Sequence, residues 1–157
     1  MAKSHVVIGT LAVIGIGAFF LMRGTDSENP DDSLGLLRVG DNALYVSEQK
    51  PDTFLYASIA VIKGGGFVVI GEDNAGNPDA IIGRSTLLPD GESQDIKIDL
   101  SRKSVHGETL YAMLYADNGN GMFDPGSDML VKDMEGNIII QEFFISNDAS
   151  KANEALL

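Results

Sequence analysis

Seventeen consecutive uncharged residues, Val6–Met22 (VVIGTLAVIGIGAFFLM), dominate the start of this 157-residue protein, and nothing like them recurs. As an α-helix the run rises about 26 Å, at the short end of what spans a bilayer's hydrocarbon. All 23 acidic residues follow it. The sequence therefore divides into a hydrophobic stem and an acidic body that face different solvents. A cleaved signal peptide requires a small-x-small site after its apolar core. This run ends instead in Phe19, Phe20, Leu21, Met22 and Arg23. A buried core helix carries a polar face, and the one polar side chain here is Thr10. The pattern predicts a retained anchor over residues 1–23, seated in the lipid bilayer through Val6–Met22. Lys3 and Arg23 nearly balance the positive-inside tally. The free amino group and short flank tip the expectation toward an inside N-terminus and an extracellular body. Gly9, Ala12, Gly15, Gly17 and Ala18 permit close helix approach, but no G-x-x-x-G spacing exists, so simple tolerance in lipid explains them equally well.

An acidic linker, residues 24–33 with Pro30, leads to a body over residues 34–147, long enough for one domain with one core. Past Thr25 nine basic residues face 23 acids, which excludes a basic-patch role in binding nucleic acid. Such a surface suits solubility, cation binding or a salty medium. Cysteine is absent, so an extracellular body must be held by its core or by metal ions.

After Leu34 the sequence reads as strands between turns. Ile96, Ile98 and Leu100 alternate with Asp95, Lys97 and Asp99, the period-two signature of a half-buried strand. Further strands are expected at 43–47, 53–62, 67–71, 80–82, 110–115, 129–131 and 138–145. Turn chemistry punctuates them at 63–66, 74–78, 89–91, 106–107 and 135–137. No amphipathic crossover helix intervenes. The expectation is an all-β fold, an antiparallel β-sandwich of seven to nine strands, immunoglobulin-like in style. Ile138–Ile140 and Phe143–Ile145 are apolar on both faces, which suggests a central or covered strand. The tail, residues 148–157, has the length of a short helix capped by Asp148 or Ser150.

Candidate chemistry concentrates in Asp117–Asp128 (DNGNGMFDPGSD). Calcium takes six to eight oxygens, and glycines let a loop wrap around it. Asp117, Asn120, Asp124 and Asp128 are the candidate Ca²⁺ ligands. The register departs from the EF-hand, because placing Gly121 on that motif's glycine puts Ala116 at the first ligand position. The alternative is an acidic hairpin loop whose Asn-Gly pairs serve the turn. The second acidic loop, Glu72–Asp79, reads as a solvated turn. Gly83-Arg84-Ser85-Thr86-Leu87 resembles a nucleophile elbow, yet it lacks the second glycine and a histidine base. The only histidines are His5 and His106. Nucleophilic, zinc and nucleotide chemistries thus lack their parts, and no enzyme activity is expected.

Four segments occur in order: Val46-Ser47-Glu48-Gln49; Gly65-Gly66-Phe67-Val68-Val69-Ile70; Ile82-Gly83-x-Ser85-x-Leu87-x-Pro89-x-Gly91; and Leu110-x-Ala112-Met113-Leu114-x-x-Asp117. Together they resemble an uncharacterised domain of archaeal, especially haloarchaeal, exported surface proteins, over roughly Ala43 to Ser146. The resemblance implies an envelope location and a β-rich fold, and it brings no activity. Histidines that it implies in relatives fall where this protein has Gly71 and Tyr115. Two functions are expected. One is an anchored structural subunit of an envelope, surface filament or membrane-containing virion, self-associating or packed against neighbouring envelope or capsid proteins. The other is a calcium-dependent module that binds a glycan or protein.

Overall fold

The computed structural model describes Leu37–Val39 and residues 41–133 and 135–149. The anchor, the linker and the tail beyond Ala149 lie outside these residues. Among the described residues no helix is long and apolar enough to cross a membrane, and every regular element is a strand. In sequence order these are β1 (Leu37–Val39), β2 (Asn42–Tyr45), β3 (Phe54–Ile62), β4 (Gly66–Asp73), β5 (Pro78–Arg84), β6 (Gly91–Leu100), β7 (Thr109–Ala116), β8 (Met129–Leu130) and β9 (Ile140–Phe144).

The strands join into one antiparallel sheet with the path β1-β2-β3-β6-β5-β4-β7-β8, and β9 pairs with β7 beside β8. The all-β, antiparallel expectation therefore holds, and hydrogen bonding links every strand to a single sheet. The joint between its halves is narrow: β5 meets β6 only through Gly83↔Leu100 and Arg84↔Asp99. A Cβ on Gly83 would lie 2.6 Å from Leu100 Cδ2, so glycine permits this approach. On β6 the alternation works as read, with Ile96 and Ile98 buried and Asp95, Lys97 and Asp99 exposed.

One buried cluster draws Leu44 from β2, Leu55 and Ile62 from β3, Ile98 from β6, Val68 and Ile70 from β4, and Leu110 and Leu114 from β7. Burying such side chains contributes roughly 1.5–3 kcal/mol each. The stretch after β2 bridges two distant strands through glutamines. Gln141 on β9 accepts from Val46 N–H at 2.8 Å and donates to Val46 O at 2.9 Å. Gln49 does the same on β3, accepting from Tyr56 N–H at 2.8 Å and donating to Tyr56 O at 2.7 Å. Each glutamine amide copies a peptide group, so buried backbone partners are satisfied where the strand ladder stops. Gln49 also forms a parallel bridge with Ile145.

Two expectations are refined. Of the two readings of 138–145, central or covered, the second fits: β9 pairs with β7 on one edge and meets the Val46–Gln49 stretch on the other. Ile139, Phe143 and Ile145 enter the core, while Ile138 and Phe144 stay exposed. The short β1 was not anticipated, because three residues give too little alternation to read.

Gly66 sets the tightest constraint. Its added Cβ would sit 2.0 Å from Tyr115 O, against the backbone of the neighbouring strand. Gly66→Ala is expected to cost about 3 kcal/mol through overpacking. Gly64→Ala, in open space but at φ +83°, should cost only about 1 kcal/mol. Urea denaturation of the two variants checks the ranking.

Candidate functional site

The pair β4–β7 is buried on both faces. Val68, Ile70, Leu110, Ala112 and Leu114 face the main core. Phe67, Val69, Met113 and Tyr115 point the other way and form a second buried cluster. The candidate loop covers that second cluster. Phe123 places its ring edge-on to Phe67 and Tyr115, at centroid distances of 5.4 and 5.2 Å. The guanidinium of Arg84 lies over the same ring at 5.8 Å. Leu130 and Ile140 complete the cover. Under it, burial pushes the Tyr115 phenol pKa upward.

The four expected ligands hold the loop in shape. Asp117 accepts from Gly119 N–H at 3.0 Å and from Gly121 N–H at 3.1 Å. Asn120 accepts from Met122 N–H at 2.8 Å. Asp124 accepts from Gly126 N–H at 2.9 Å and from the Ser127 hydroxyl at 3.1 Å. Asp128 is buried, and its two oxygens accept from Asn118 N–H at 3.1 Å and Asp124 N–H at 2.9 Å. Each carboxylate caps local donors in an Asx-type arrangement, a frequent use of Asp and Asn in turns. Among the described residues no three His, Asp or Glu side chains converge to hold a metal ion. Phe123 is what composition alone missed. The available signal was one aromatic residue inside a run of Asp, Asn and Gly.

The other motifs also resolve into structure. Ser85 is buried, accepts from Val68 N–H at 3.0 Å and donates to Thr86 O at 2.7 Å, so its hydroxyl extends the β4 ladder. The Glu72–Asp79 loop is a two-residue hairpin turn with Ala75 and Gly76 at φ +53° and +85°. Asp73 ties it down by accepting from Gly76 N–H and the Tyr111 hydroxyl.

Residues 43–146 match the family model described as Domain of unknown function (DUF7282). The chain belongs to that family. No curated protein and no solved structure matches it. The DUF7282 match runs from β2 to just past β9, and so it spans both glutamine bridges and the whole acidic loop. Within this DUF7282 domain Gly71 pairs with Tyr111, and Tyr115 pairs with Phe67. The two positions share a face but stand four residues apart along the ladder, roughly 13 Å.

A second charged cluster lies at the far end of β4. Arg102 donates to Glu72 Oε1 at 2.7 Å and to both oxygens of Glu108. Glu108 also accepts from Val105 N–H at 2.9 Å. Burial alone would raise the Glu108 pKa. Arg102 and the Val105 N–H together outweigh it, so the carboxyl sits below its ordinary 4.5. The Glu108 and Glu72 carboxylates in turn raise the Arg102 pKa.

Two outcomes follow from this geometry. Phe123→Ala should destabilise the domain by about 2 kcal/mol, less than for a fully buried ring, read as a lowered urea midpoint. Because the folded-state pKa of Glu108 is depressed, its contribution is present above the unfolded value and lost as pH falls through the folded one. The urea midpoint should therefore drop between neutral pH and about pH 3, and Glu108→Gln should flatten that drop.

Proposed function

We propose that this protein is a membrane-anchored, non-catalytic structural component of an archaeal-type cell envelope, surface filament or membrane-containing virion. Val6–Met22 anchors it in lipid, with its N-terminus inside. The acidic domain stands outside as an immunoglobulin-like sandwich, with β2, β3 and β6 facing β4, β7 and β9 across the shared core. The observation that carries the reading is that the strands on the open side of β7 expose large apolar side chains at separate points along their length. Met129 is 73 % exposed, Phe144 54 % and Ile138 42 %. Exposed apolar groups beside a sheet edge are what lateral packing between subunits uses. The acidic surface supports the same reading, since it keeps unassembled copies soluble. A calcium-dependent binding module ranks second, supported by the three carboxylates of the 117–128 loop.

The test is electron microscopy of envelopes from cells that make the protein, labelled with an antibody to it and prepared with calcium or with a chelator. Labelled filaments, lattices or particles are expected in both preparations. A monomer released by detergent, with no labelled assembly, would overturn the structural reading. Labelling of a separate partner that is lost in chelator would favour the binding module.

A further inference from the structure

Two Asn-Gly dipeptides occur in the sequence, Asn118-Gly119 and Asn120-Gly121, both in the exposed part of the acidic loop. Asn-Gly is prone to self-modification because glycine leaves the following peptide nitrogen unshielded by a Cβ. The deprotonated glycine nitrogen attacks the carboxamide carbon of the asparagine. A new C–N bond forms, the carboxamide's own C–N bond breaks, and the departing NH2 takes up a proton and leaves as ammonia. Solvent water then opens the succinimide to aspartate or isoaspartate. Nothing is oxidised or reduced.

Both attacking nitrogens are held by one carboxylate. Gly119 N–H donates to Asp117 Oδ2 at 3.0 Å, and Gly121 N–H reaches Oδ1 at 3.1 Å and Oδ2 at 3.2 Å. The proton that must leave is therefore engaged, and the neighbouring anion disfavours a second negative charge on nitrogen. The electrophilic ends are restrained unequally. Asn118 is fixed at both atoms of its amide: Oδ1 accepts from Asn120 N–H at 3.1 Å and Nδ2 donates to Ser127 Oγ at 2.9 Å. Asn120 is held through Oδ1 alone, by Met122 N–H.

We infer that Asn118-Gly119 and Asn120-Gly121 are a latent deamidation site that Asp117 keeps closed. Opening it adds a negative charge beside Asp117, Asp124 and Asp128. Isoaspartate also adds a methylene to the backbone just before Phe123, which loosens the cover on the second cluster. Deamidation needs only the folded protein and water, so it stands apart from the envelope reading.

The test ages the full-length protein at neutral pH and follows both dipeptides by peptide mass mapping. Folded wild type should deamidate about tenfold more slowly than the same protein in urea, the factor that one hydrogen bond to a charged group is worth. Asp117→Ser keeps an acceptor oxygen but removes the charge, and it should age faster than wild type, with Asn120 converting before Asn118. A melting curve establishes that the variant is folded; if it is not, the folded-to-urea ratio of wild type decides alone. Equal rates in folded and urea-treated wild type would overturn the proposal, as would a folded Asp117→Ser that ages no faster.

Discussion

The structure depends on β4 and β7 lying side by side with apolar residues on both faces. Seven register pairs, from Gly66↔Ala116 to Glu72↔Leu110, join them. A sheet face left open to water at Phe67, Val69, Met113 and Tyr115 would forgo the burial that drives folding. The fold solves this locally. On leaving β7 the backbone turns at Asp117, whose N–H donates to Gly65 O at 3.3 Å, and lays Phe123 back over the face. Loop 117–128 is thus a lid over the sheet, and its polar residues shape the lid.

The opposite problem arises where the sheet's ladder ends. The stretch Val46–Gln49 leaves β2 with buried backbone donors and acceptors but no full strand partner. Gln141 supplies one donor and one acceptor to Val46, and Gln49 does the same for Tyr56 on β3. An aliphatic residue at either place would leave two peptide groups unpaired, each costing about 1–3 kcal/mol. Among the described residues no buried side-chain nitrogen or oxygen lacks a partner.

Much of this was legible in the sequence. The alternation around Ile96 and Ile98 and the turn residues at 63–66, 74–78 and 89–91 placed strands within a few residues of β3, β4, β5 and β6. Strand order was not legible, because it rests on long-range pairs such as Leu55↔Ile98 and Val69↔Met113, which leave no local trace. Ile138–Ile145 reads as central or covered, because the two kinds of strand share composition. The difference lies in the exposure of Ile138 and Phe144. The Asp117–Asp128 loop was ambiguous for a chemical reason. A calcium loop and a self-capped loop use the same carboxylates, amides and glycines. Only hydrogen-bond geometry tells which donor each oxygen meets.

That geometry bears on why so acidic a protein folds without cysteine. Asp52, Asp73, Asp90, Asp117, Asp124, Asp128 and Asp133 each accept a backbone N–H. Such charge-assisted bonds pin turns at one residue each. Among the described residues the ion pairs are fewer, and Lys63–Asp41 and Lys97–Asp99 are exposed enough to contribute little. Salt weakens exposed pairs and long-range repulsion alike, while short bonds to peptide donors lose less. An architecture that assigns its aspartates to its own backbone therefore depends less on surface ion pairs. The acidic composition then does two things at once: it shapes the loops and keeps the exterior soluble.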